Sequence, residues 1–233
     1  YDPFIEILRR NMLPGGVLRM DHFMQIMRLY WVVAPGEVEP GAYVCYAVEE
    51  LAAIIALESQ RNRTMIIGED LGTVPAELSR LMSEYHFLSW KVLYFEKDGR
   101  AFKPASSYHE RSLFSINTHD LPTLCGFLEH TDIALRERLH LLSKEQALEA
   151  HKEREKDILA LLELLGLSGA GKPTSREVLS AIQRWSRTLP CRLIVESLHD
   201  HLEMADQPNL PGTTSEYPNW ALPYLLPVSE IRL

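Results

Sequence analysis

Two rhythms of apolar residues alternate along this chain. From Asp2 to Asn11 the spacing is helical, and Val17-Leu18-Arg19-Met20 then reads as a strand. Ala47 to Arg61 repeats apolar residues at Val48, Leu51, Ala52 and Ile55, one helical face, ahead of the strand Thr64-Met65-Ile66-Ile67. That strand is continuously apolar, as suits a parallel sheet covered on both faces. Pro75 to Tyr85 predicts the next helix, with Pro in its first turn. Trp90 to Phe95, Ser112 to Asn117 and Cys191 to Val195 supply three further strands. Helix alternating with strand predicts an α/β architecture built on parallel strands.

A long helical insertion, roughly 122–187, interrupts the alternation before the last strand. Its middle, Ser143 to Lys156, mixes acidic and basic residues at helical spacing, the pattern of a solvated face. Ser168 to Pro173 contains Gly-Ala-Gly-Lys but lacks the GxxxxGK[ST] spacing of a phosphate loop, and is expected to be a helix-to-helix turn.

Charge narrows the partners. The 233 residues carry 24 basic and 32 acidic side chains, a net charge of −8, so general nucleic-acid binding lacks its main driving force. The apolar run Leu51 to Leu57 falls far short of the roughly 20 residues that cross a bilayer, so no membrane association is expected. Three cysteines, Cys45, Cys125 and Cys191, form no CxxC pair, and no secretory signal opens the chain; a reducing, cytoplasmic location is expected. The start at Tyr1, without an initiator Met, suggests part of something longer.

The chemistry concentrates at strand ends. Three strands run directly into acids: Arg19-Met20-Asp21-His22, Gly68-Glu69-Asp70-Leu71-Gly72 and Asn117-Thr118-His119-Asp120. In a parallel α/β sheet the carboxyl ends share one rim, where Asp21, Glu69 and Asp120 are expected to meet. An Asp after a strand also commonly caps the following helix, which is the plain alternative for each acid taken singly. Glycoside cleavage needs one carboxyl group that delivers a proton and an ionised one that attacks or activates water. Arg19, on the same strand face as Asp21, suits that residue to the nucleophile's role. Glu69, after Ile66-Ile67-Gly68, is expected in a drier place, as the acid/base. Asp120, His22 and His119 would then surround the sugar. Asp21, His22, Glu69, His119 and Asp120 are also competent ligands for zinc, manganese or iron, but no HExxH or CxxC spacing supports a metal centre. No GxSxG elbow occurs. His199-Asp200-His201 reads as a surface turn.

The strings Leu18-Arg19-Met20-Asp21-His22, Gly41-Ala42-Tyr43-Val44 and Ile67-Gly68-Glu69-Asp70-Leu71-Gly72-Thr73-Val74-Pro75 resemble those of amylomaltases, the 4-α-glucanotransferases. So do Lys91-Val92-Leu93-Tyr94-Phe95, Thr118-His119-Asp120-Leu121-Pro122-Thr123-Leu124, and Leu210-Pro211-Gly212-Thr213 leading to Glu216-Tyr217-Pro218-Asn219-Trp220. The resemblance spans residues 18–220 in family order. It implies a cytoplasmic maltodextrin enzyme on a (β/α)8 barrel, transferring α-1,4-glucan segments by a retaining double displacement without cofactor or metal. By motif, Asp21 matches the family nucleophile, Glu69 the acid/base and Asp120 the transition-state-stabilising carboxylate. Arg19, His22 and His119 match substrate positions, and Asp70 and Asn209 fall in strings near the glucan.

Five strands correspond to strands four through eight of the family barrel, so residues 1–233 read as the C-terminal portion of the catalytic domain. The resemblance therefore implies little activity for the chain alone, and pairing with a missing N-terminal half or a second copy. An α-glucan hydrolase of the same architecture, or a non-catalytic glucan-binding fragment, is the alternative. Among the aromatics Tyr30, Trp31, Tyr43, Tyr46, Tyr94 and Phe95, sugar contact is expected foremost of Trp31 and Tyr43. Trp90, Trp185 and Trp220 are expected to be structural.

Overall fold

The computed structural model describes residues 1–32, 41–169, 171–224 and 226–231. They fall into two compact units, one of residues 1–91 and 110–113, the other of 92–109 and 114–233.

The first unit holds α1 (Asp2–Met12), β1 (Val17–Met20), β2 (Arg28–Trp31), β3 (Ala42–Cys45), α2 (Val48–Asn62), β4 (Met65–Gly68), α3 (Ala76–Glu84) and most of β5 (Leu88–Val92). Pro3 and Asp2 open α1, and Arg9 and Arg10 close it, each charge matched to the helix dipole. β1 pairs in parallel with β4, and β4 with β5. Leu8 and Met12 from α1, Ala52 and Ile55 from α2, and Leu78, Leu81 and Met82 from α3 close over Ile66, Phe23 and Phe87. One carboxylate is buried under these helices. Glu58 accepts from Arg9 at 2.8 and 2.9 Å and from Arg61 at 2.9 Å.

The second unit adds β6 (Lys97–Asp98), β7 (Ala101–Phe102), the end of β8 (Ser112–Ser115), α4 (Leu124–Glu129), α5 (Thr131–Arg138), α6 (Lys144–Leu164), α7 (Ser175–Ser186), β9 (Leu193–Val195) and α8 (Leu198–His201). Two helices start at capping boxes, Ser143 with Gln146 on α6 and Thr174 with Glu177 on α7. The core of this unit gathers Leu93, Tyr94, Phe114, Phe127, Leu161, Val178 and Ile182. Strand order is β1-β4-β5-β8-β9, and the units divide within β5 and within β8. No described helix is long and apolar enough to cross a membrane.

The structure departs from the sequence expectations at several places. The strand expected at Trp90 to Phe95 is Leu88–Val92, because Leu88 and Ser89 pair with Ile67 and Gly68, while Leu93 to Phe95 coil into a 3-10 turn. The hairpins β2–β3 and β6–β7 carry no periodic signal, the first because nearly all its residues are exposed and the second because each strand has two residues. Arg154 leaves the solvated face expected of residues 143–156, with both Nη atoms bonded to Asp132 at 2.8 and 2.9 Å. Asp200 is 3% exposed on α8, not part of a surface turn. The segment 168–173, whose Ala170 lies outside the described residues, joins α6 to α7 as expected. The three cysteines are free thiols.

Candidate active site

In the first unit the register of two strands builds the site. Arg19 lies opposite Ile67 and Met20 opposite Gly68, so Asp21 and Glu69 leave neighbouring strand ends at the same level. The Glu69 amide donates to Met20 O at 2.9 Å, extending the ladder one residue. Gly68 is required here by space, because a Cβ would sit 2.7 Å from the Phe23 ring.

Arg19 and Asp21 alternate onto one side of the strand, where Arg19 Nη2 donates to Asp21 Oδ1 at 2.6 Å. The same guanidinium lies 4.4 Å above the Trp90 ring. Trp90 is thus fixed beside the site as well as being part of the frame. Glu69 is 7% exposed, and its carboxylate accepts from two backbone amides, His22 at 2.8 Å and Leu71 at 2.9 Å. His22 reaches this position in the left-handed region at φ 43°, an uncommon conformation for a residue with a Cβ. Its Nδ1 lies 3.6 Å from Glu69 Oε2. One ligand atom each of Asp21, His22 and Glu69 lie within 4.8 Å of one another. Such a trio would suit a cation, yet Arg19 already places a positive charge on Asp21 and both Glu69 oxygens are engaged by amides.

None of the acids caps the helix that follows it. His22 precedes the 3-10 turn without a side-chain cap bond, Pro75 precedes α3, and Thr123 caps α4 by accepting from Gly126 N. The plain alternative for these carboxylates is not what the chain does with them. Asp70 accepts from the Trp90 amide at 2.8 Å; burial pushes its carboxyl up, against the pull of that amide and of Lys91. On the β2–β3 hairpin, Trp31 Nε1 donates to Tyr46 Oη at 3.0 Å, and Tyr43 lies edge-on to Tyr30 and beneath Arg28. Trp31 and Tyr43 are exposed.

The second unit holds the remaining candidates. Asp120 Oδ1 accepts from Asn209 Nδ2 at 2.5 Å, and its Oδ2 lies 3.5 Å from His119 Nε2. The His119 ring is 5.1 Å from that of Trp220. Trp220, expected to be structural, is 64% exposed, whereas Trp185 packs edge-on against Tyr108 and Phe114. Tyr94 stacks on Phe127 in the core and offers no face to a ligand. Sequence reasoning missed Asp200, which accepts from Asn117 Nδ2 and from the Leu124 amide.

Comparison with known proteins places this geometry in context. A family model described as 4-alpha-glucanotransferase matches residues 1–227. The 4-alpha-glucanotransferase of Haemophilus influenzae is 36% identical over 241 aligned positions, covering 99% of this chain and 34% of the relative. That of Mycobacterium tuberculosis is 34% identical, covering 100% and 33%. The chain thus spans about a third of the length of these relatives. Among solved structures, amylomaltase from Corynebacterium glutamicum superposes with a TM-score of 0.83 at 28% identity, over 96% of this chain and 34% of that one. Amylomaltase from Streptococcus agalactiae, solved with acarbose, gives 0.67 at 19% identity over 94% and 39%, a likeness of fold. The fold class is α/β, a partial (β/α)8 barrel of five strands.

Proposed function

Because the chain belongs to the 4-alpha-glucanotransferase family, we propose that it carries the catalytic carboxylates of a retaining α-1,4-glucan transfer between maltodextrins. The observation that carries this reading is the approach of Asp21 and Glu69, one carboxylate oxygen of each lying within 4.8 Å of the other. Retaining enzymes hold their two carboxyl groups about 5–5.5 Å apart, and inverting ones about 6.5–9.5 Å, to admit a water.

In the first step an Asp21 oxygen attacks the anomeric carbon while the bond from that carbon to the leaving oxygen breaks. Glu69 gives its proton to that oxygen, and a glucosyl ester on Asp21 results. In the second step Glu69 takes the proton from the 4-hydroxyl of an acceptor glucan, whose oxygen displaces Asp21. Arg19 fixes the attacking carboxylate by its 2.6 Å bond, and the Trp90 ring supports the Arg19 guanidinium at 4.4 Å. The His22 and Leu71 amides hold Glu69 in one orientation across both steps. By the family motif, Asp120 accepts hydrogen bonds from sugar hydroxyls that strengthen as charge develops on the ring. His119 and Asn209 belong to the same contact. Trp31 and Tyr43 present flat faces to glucose units, and Asp70 supports the glucan side through its tie to β5.

The test is covalent. The chain is treated with a fluorinated α-glucosyl donor, alone and mixed with the upstream portion of the Haemophilus influenzae relative, and the label is located by peptide mass spectrometry. Label on Asp21, lost in Asp21→Asn, is the expected result. Label on another carboxylate overturns the assignment. Maltotriose converted to glucose and longer dextrins marks transfer, while simple shortening marks hydrolysis. We propose that the 233 residues alone turn over maltotriose slowly or not at all, and rapid glucose release by the unsupplemented chain overturns that point.

A further inference from the structure

After β8 the chain passes through Asn117-Thr118-His119-Asp120-Leu121-Pro122-Thr123 before α4 begins at Leu124. A crossing of this length has many conformations unless it is tied at both ends. Both ties reach one residue. The Leu124 amide donates to Asp200 Oδ1 at 2.7 Å, and Asn117 Nδ2 donates to Asp200 Oδ2 at 3.0 Å and lies 3.3 Å from Oδ1. Asn117 Nδ2 also lies 3.3 Å from Pro122 O, drawing the segment in on itself. Thr123 Oγ1 donates to Met204 O at 2.6 Å, in the turn after α8.

Asp200 is an expensive way to hold a loop. Burial pushes its carboxyl up to about 6, only partly offset by the Leu124 amide and Asn117. Glu196, His201 and Tyr94 are the other titratable groups acting on it. A neutral residue would fill the volume without that cost, so packing alone does not account for a carboxylate here. What a carboxylate offers is two acceptor oxygens on one side chain, enough to receive a donor from each end of the crossing.

We propose that Asp200 is a positioning residue for Asp120, gripping both ends of the segment 117–124 and so fixing the loop that presents His119 and Asp120. The inference rests on the reading of Asp120 as a sugar-contacting carboxylate. Asn209 then completes the placement by donating to Asp120 itself.

Two variants of the full chain test it. Asp200→Asn keeps an acceptor for the Leu124 amide but sets one NH2 group against that of Asn117. Asn117→Asp/Asp200→Asn exchanges donor for acceptor and restores one bond between the two side chains, at the loss of the contacts that Asn117 Nδ2 makes with Pro122 O and with the second Asp200 oxygen. Amide hydrogen exchange, read by NMR without glucan, is expected to quicken about ten-fold over residues 118–121 in Asp200→Asn, with α6 and α7 unchanged. The exchanged pair is expected to return it toward the original rate. An equal rise through α6 and α7, no rise at all, or no recovery in the pair overturns the proposal.

In the supplemented maltotriose assay the single variant is expected to lose about ten-fold in kcat at unchanged KM, as misplacement of a transition-state contact does. Loosening with kcat and KM both untouched overturns the positioning role. A chain whose loop loosens as expected but which never transfers glucose, with or without the upstream portion, overturns the proposed reaction and supports the grip on the loop.

Discussion

Replacing Arg154 tests whether charge inside the helical part of the second unit is structural. Arg154 gives both Nη atoms to Asp132, a third bond to Phe127 O at 3.1 Å, and lies 4.2 Å above the Phe127 ring, which stacks on Tyr94. The two side chains are 12% and 8% exposed, so water cannot replace what is lost. Arg154→Met keeps most of the stem but strands a buried carboxylate, a change that costs about 3–5 kcal/mol, with up to about 1 kcal/mol more from the ring contact. Asp132→Asn in the same background removes the stranded charge and is expected to recover about 2 kcal/mol. Lys152→Met is the control, because the Lys152–Glu149 pair is exposed and such pairs contribute about 0–1 kcal/mol. With two units the chain need not unfold in one step, so the readout must belong to the second alone. Trp185 supplies it, through the 5-fluorotryptophan resonance it gives among the four tryptophans during urea unfolding. A loss for Arg154→Met no larger than for Lys152→Met, or no recovery in the double variant, would refute the reasoning.

Glu58 makes an acid-dependent prediction in the first unit. Its carboxyl is held down at about 2, chiefly by the Arg9 hydrogen bonds, against burial and with help from Arg61. Since the folded value lies below the unfolded 4.5, the stabilisation is present above pH 4.5 and is lost as pH falls toward 2. Arg9 is half exposed, so solvent screening reduces the effect to about 1–2 kcal/mol. Melting curves between pH 5 and 2 should fall more steeply in the parent chain than in Glu58→Gln, where only the other hydrogen-bonded carboxylates still titrate; equal slopes would remove the ion pair from the account. Gly68→Ala is expected to cost about 1–3 kcal/mol by driving a methyl into Phe23, and to shift the NMR resonances of the His22 and Leu71 amides that hold Glu69. Unchanged resonances with full stability would show that Phe23 yields freely.

What could be read from the sequence was what depends on neighbours in the chain. Val17–Met20 announced itself as a strand by its apolar run, and the acids after it and after Gly68 were visible because a strand end is a local property. Asp200 was not legible: it sits between two histidines, and what buries it are partners 83 and 76 residues away. Arg154 is similar, one cation among many on α6, singled out by an aspartate 22 residues earlier. The β2–β3 hairpin escaped notice for another reason. With nearly every residue exposed it buries no face, and a strand that buries no face leaves no alternation to read.

Register explains why the acids at the first two strand ends are useful together. Parallel pairing of Arg19 with Ile67 and Met20 with Gly68 brings out Asp21 and Glu69 side by side. A slip of one residue would set Asp21 level with Gly68 or Asp70 and carry the neighbours of Glu69 to the opposite face. The residues that forbid the slip are apolar: Ile66 is buried under α2 and α3, and Phe23 occupies the space that Gly68 leaves. Packing on the helix side of the sheet therefore sets the spacing of charge at the strand ends. The left-handed turn at His22 depends on the same spacing, because the Phe23 amide bonds Glu69 O at 3.0 Å one residue after the His22 amide bonds the Glu69 carboxylate. A substitution that shifts Phe23 thus reaches the chemistry through the backbone, without touching either carboxylate.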